Sequence, residues 1–147
     1  MMKLLFLLFS VLLFNTDSGW LTNFDEAKKI AAEKNEYILL NFSGSDWCGP
    51  CIRMKTEIFE STAFKNYSEA HLVLLNADFP RYKKNKLSSE QLLHNEKLAD
   101  KYDPLGKFPY TVLLNAKGDI VKEWDGLAGL KANEFVKQIM LISENAK

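Results

Sequence analysis

Tyr37-Ile38-Leu39-Leu40-Asn41-Phe42 is followed closely by Trp47-Cys48-Gly49-Pro50-Cys51 and then by Ile52-Arg53-Met54-Lys55-Thr56-Glu57-Ile58-Phe59. The first run is apolar, β-branched and aromatic, which predicts a buried strand. The last run places apolar residues at 52, 54, 58 and 59, the spacing of an amphipathic helix. The two cysteines, the only ones in the chain, therefore fall on a strand-to-helix turn, at the first turn of the helix.

That position has chemical consequences. The first N–H groups of a helix have no intrahelical partner, and the helix start carries a partial positive charge. A thiolate is favoured there, so the pKa of Cys48 is expected below the free value of ~8.5. Cys51, one helical turn on, can close a small ring with it. Pro50 lacks an N–H where a helix start leaves one unpaired anyway. Gly49 leaves the turn uncrowded for an approaching chain. The bland alternatives are a disulfide staple or half a zinc site. A staple over so short a loop constrains little of the unfolded chain. A zinc site needs about four ligands, and only His71 and His94 remain to supply them. Redox work is the expected use, with no metal and no cofactor beyond the Cys48–Cys51 pair.

The chain has 147 residues with 19 basic and 19 acidic side chains, so it gives no reason to expect nucleic acid as a partner. Met1-Met2-Lys3, an apolar stretch from Leu4 to Phe14 and the small polar run to Gly19 read as a signal peptide over 1–19. The apolar stretch is shorter than the ~20 residues of a spanning helix, so an uncleaved anchor is the less favoured reading. One domain is expected over 20–147, exported to a periplasm or the exterior, and a monomer. In an exported chain whose only cysteines are one C-x-x-C, the pair does work rather than forming a framework.

Along that domain a first helix is expected within 20–34, with Asn23 to Glu26 as a capping box and Asn35 as its stop. Further helices are expected from Ser61 to Tyr67, from Ser88 or Ser89 to about Tyr102, and over 130–142. Strands are expected at 37–42, 71–79, 108–114 and 120–124, the last two joined by a hairpin turn at 116–119. The class is α/β with parallel and antiparallel strands in one sheet. No role is assigned to His71 or His94.

These elements and motifs resemble the thioredoxin superfamily from about Trp20 onward. Trp47-Cys48-Gly49-Pro50-Cys51 matches its active-site motif, and Phe108-Pro109 matches a proline that is cis in that family and faces the cysteine pair. Asn41 to Cys48 looks closest to exported thioredoxin-like proteins of bacteria. The resemblance implies a thioredoxin fold, Cys48 as nucleophile, Cys51 as resolving cysteine, and Trp47, Gly49, Pro50, Phe108 and Pro109 as active-site support. It also implies disulfide-containing exported proteins as substrates. The Gly-Pro pair favours the reducing direction, which needs electrons from a membrane thiol donor. Oxidase or isomerase work, or a non-enzymatic metal-handling role, are the alternatives. The chain departs from the family in four places, one of them the segment from the strand to Cys48, which is one residue longer than in thioredoxin. Asn41 stands nearest to a buried, titrating Asp, a possible proton-relay position. Thr56 falls at about the family's kinking proline. The connection from Pro80 to Lys97 is longer, and its cations Arg81, Lys83, Lys84 and Lys86 are candidates for selecting a partner.

Overall fold

The computed structural model describes residues 19–127 and 129–145; the expected signal peptide lies outside them except for Gly19. The elements, in order, are β1 (Trp20–Leu21), α1 (Phe24–Lys34), β2 (Tyr37–Ser43), α2 (Gly49–Met54) and a π-helical turn (Lys55–Phe59). Then come α3 (Thr62–His71), β3 (Leu72–Asp78), a 3-10 turn (Lys83–Asn85), α4 (Ser89–Tyr102), β4 (Tyr110–Leu114), β5 (Ile120–Asp125) and α5 (Ala132–Asn145). The strands form one sheet in the order β1-β3-β2-β4-β5. β2 runs parallel to β3 and antiparallel to β4, which pairs antiparallel with β5.

β2 is the centre of the molecule because both of its faces are buried. Ile38, Leu40 and Phe42 point to one side, against Ala27 and Ala31 of α1 and Leu98 and Tyr102 of α4. Leu39 points to the other, among Met54, Ile58, Phe64, Phe135 and Ile139. Each fully buried side chain of this size contributes about 1.5–3 kcal/mol. A strand gripped from both faces makes a firm base for the turn that leaves its C-terminal end.

The structure corrects the sequence reading at several boundaries. Trp20 and Leu21, ahead of the capping box, form a parallel edge strand that the sequence reading did not assign, paired with Leu74 and Leu75. The first helix starts where the capping box places it: Asn23 is extended and its side chain accepts the Glu26 N–H at 2.9 Å. Trp20 lies against Phe59, with ring centroids 5.0 Å apart. α3 runs on to His71, so this residue closes a helix rather than opening a strand. The fourth strand starts at Tyr110, two residues beyond the expected start at Phe108. The helix after the cysteines does not stay α-helical to Phe59. It widens into a π turn from Lys55, where the Thr56 hydroxyl donates back to the Ile52 and Arg53 carbonyls at 3.1 and 3.2 Å. A threonine bonding backwards bends a helix, and here it marks the place of the family's proline.

Candidate active site

The turn leaving β2 is closed by one carbonyl. Gly44 C=O accepts the N–H groups of Trp47 at 3.2 Å and Cys48 at 2.9 Å. Cys48 is extended and caps α2, its Sγ accepting the Cys51 N–H at 3.2 Å. Cys51 Sγ accepts the Gly44 N–H at 3.5 Å. The two cysteines form a disulfide, with Cα atoms 5.2 Å apart. Cys48 is 5% exposed and Cys51 4%, so burial does not separate them. Their surroundings do. Cys48 stands at the helix start beside exposed Gly49 and Pro50, whereas Cys51 is inside the first turn.

Gly44 is a site residue that sequence reasoning missed. A Cβ there would lie 2.6 Å from Trp47 Nε1, inside the indole, so only glycine lets the tryptophan fold back over the turn. Trp47 is held from three sides. Its Nε1–H donates to the Phe79 carbonyl at 2.7 Å, its ring meets Phe108 edge-on at 5.5 Å, and the Arg81 guanidinium lies 3.6 Å from the ring centroid. Phe108 in turn meets Phe79 at 5.6 Å. The Phe108–Pro109 peptide is cis, and the Pro109 carbonyl accepts the Gly126 N–H at 2.9 Å.

Asn41 is buried under this turn, not at its rim. Its Oδ1 accepts the Thr111 hydroxyl at 3.1 Å and its Nδ2 donates to Asn76 Oδ1 at 3.4 Å. Asn41, Asn76, Ser43 and Cys51 line a cleft of about 780 Å³ that Lys55 and Lys65 also line. Polar side chains thus share a cleft with the inner cysteine.

The long connection is fastened to the same turn. Asp46 accepts the N–H groups of Arg81 at 2.9 Å and Tyr82 at 3.0 Å, and the Asn85 amide at 2.9 Å. Desolvation alone raises its carboxyl, but these donors outweigh it and hold the group below the ordinary carboxylate range. Ser45 is tied by backbone and side chain to Asp78 at the end of β3. Neither histidine joins the site. His94 accepts the Phe24 N–H at 3.1 Å, linking α4 to α1, and His71 stacks on Tyr67.

The thioredoxin-like domain family matches residues 24–141. The chain belongs to that family. It is 36% identical over 96 residues to the disulfide bond reductase DsbH of Chlamydia pneumoniae, a match covering 65% of this chain and 56% of that protein. The chain thus spans little more than half the length of this curated relative. A solved DsbH oxidoreductase superposes with a TM-score of 0.69 at 30% identity, covering 82% of this chain and 81% of that one. A thioredoxin from Thermus thermophilus shares the fold at a TM-score of 0.63 and 19% identity, over 84% of this chain and 85% of its own. Among the described residues no helix is long and apolar enough to cross a membrane.

Proposed function

We propose that this thioredoxin-like chain is an exported thiol–disulfide oxidoreductase that reduces protein disulfides with the Cys48/Cys51 couple. The observation that carries the reading is the disulfide between an N-cap cysteine and the cysteine one turn behind it. The reductive direction is supported by Gly49-Pro50 and by the name of the relative in Chlamydia pneumoniae. Export is supported by the sequence pattern of residues 1–19.

In the reduced protein the Cys51 N–H and the helix start favour the Cys48 thiolate. That thiolate attacks one sulfur of the substrate disulfide. A Cys48–substrate disulfide forms, and the other substrate sulfur leaves as a thiolate that takes up a proton. Cys51 then gives up its proton and attacks Cys48 Sγ. The second substrate sulfur leaves, and two electrons have passed from the pair to the substrate. Asn41 cannot accept the Cys51 proton; it lines the cleft through which water receives it. Trp47, next to Cys48 in the chain, and Phe108, whose ring it meets, give an apolar docking surface, and the Phe108 backbone before Pro109 pairs with the extended substrate. A membrane-embedded thiol donor returns the pair to the dithiol.

The test is trapping. Cys51 held beside Cys48 acts at an effective concentration that no free thiol matches, so the mixed disulfide is normally brief. Cys51→Ser removes the attacker and leaves the N-cap position of Cys48 in place. Expressed in its host, this variant accumulates adducts that disappear with reductant, and Cys48→Ser accumulates far fewer. Equal trapping by both variants would show that Cys48 is not the entering nucleophile. No trapping by either would remove the oxidoreductase reading.

A further inference from the structure

The connection after β3 carries Arg81, Lys83, Lys84 and Lys86, all exposed, in a chain whose 19 basic and 19 acidic side chains balance overall. Among the described residues none of the four takes part in an ion pair; the pairs present use Lys28, Arg53, Lys55 and Lys107. Asp46, which reaches this segment, already accepts three hydrogen bonds from it, none from a cationic side chain. The cations are therefore not arranged to neutralise acids of this chain. Arg81, Lys83 and Lys86 line a hollow of about 270 Å³ together with the apolar Pro80, Tyr82, Leu87 and Leu92. Tyr82 is 55% exposed and Leu92 38%, large apolar side chains left open among positive charges.

The hollow is fixed relative to the sulfurs. Asp46 immediately precedes Trp47-Cys48 and clamps the backbone of Arg81 and Tyr82, while the Arg81 guanidinium stacks on the Trp47 ring at 3.6 Å. A chain lying in the hollow is thus led across Trp47 toward Cys48. We infer that this hollow is a docking site for an acidic segment of the substrate protein, with one apolar side chain against its apolar lining residues and carboxylates on its cations. The inference rests on the oxidoreductase function proposed above and names the class of substrate that the function would serve.

Three disulfides distinguish the outcomes: a peptide disulfide flanked by glutamates and a leucine, the same peptide with lysines for the glutamates, and the uncharged 2-hydroxyethyl disulfide. At low salt the wild type should reduce the acidic peptide with a kcat/KM about 10-fold above the basic one, mostly through KM. The ratio should fall toward one near 0.5 M salt, as the screening length drops to a few Å. In Lys83→Ser/Lys84→Ser/Lys86→Ser the ratio of acidic peptide to uncharged disulfide should fall about as far. Turnover without charge preference in the wild type, or a preference that survives the triple substitution, overturns the docking site alone. No turnover of any of the three removes the oxidoreductase reading, and the docking site with it. Co-sedimentation with phosphatidylglycerol vesicles in place of a peptide preference overturns it in favour of a lipid surface.

Discussion

Asn41 is the residue on which the proposed path of the inner cysteine's proton can be tested. A carboxylate at this depth would have its pKa raised by burial and would titrate within the working range. Thr111 can still donate to it, but the bond to Asn76 must be remade by rotating that amide. Asn41→Asp is expected to fold, to cost about 1–3 kcal/mol at neutral pH, and to add an ionisation to the pH–rate profile of disulfide reduction. A profile identical to wild type would mean that position 41 has no access to the Cys51 proton. Cys48 and Cys51 were legible in the sequence because no other cysteines compete for attention and their spacing carries its own chemistry. Gly44, Phe79 and Asp46 were not. Their roles depend on the Trp47 indole folding back over the turn and on bonds to residues more than thirty positions away, such as Trp47 to Phe79 and Asp46 to Arg81. The segment from β2 to Cys48 had already shown itself one residue longer than in thioredoxin, and that was the one available hint.

The turn between α4 and β4, which delivers Phe108 and Pro109, is organised by Asp103. Its Oδ1 accepts the Lys107 N–H at 2.9 Å, while Oδ2 is buried without a partner. Burial raises the Asp103 carboxyl above its usual range, Lys107 pulls it down through its N–H and its charge, and Asp125 adds to the rise. Folding therefore favours the protonated acid. The stabilisation is complete below the unfolded pKa of ~3.9 and is lost as pH climbs through the folded value. Asp103→Asn keeps an acceptor for Lys107 and removes the charge. It should melt higher than wild type at pH 7, by ~2–8 °C for each kcal/mol gained, with the gap closing toward pH 3. A lower melting temperature at pH 7 would show that the buried charge is used. Elements with strong periodicity and clear caps, such as α4 behind Ser88 and α1 behind Asn23, were readable in advance. β1 was not, because two residues are too few to show an alternation. The π turn was not, because apolar residues at 58 and 59 suit either helical period.

For the whole molecule, the order of elements was enough to call the sheet mixed. A hairpin with a glycine turn makes β4 and β5 antiparallel, and helical crossovers make β2 and β3 parallel. The fold then brings three separate stretches together at the Trp47 ring beside Cys48: the turn after β2, the connection after β3 and the turn before β4. Two electrons stored in a dithiol can flow either way, and the standing of the couple against its surroundings decides which. The reduction potential of the Cys48/Cys51 couple, measured by equilibration with glutathione of known ratio, tests this most directly. A value near −270 mV, the range of reducing thioredoxins, is expected. A value near −120 mV, that of a strong oxidant, would contradict the reductase and make the protein a donor of disulfides.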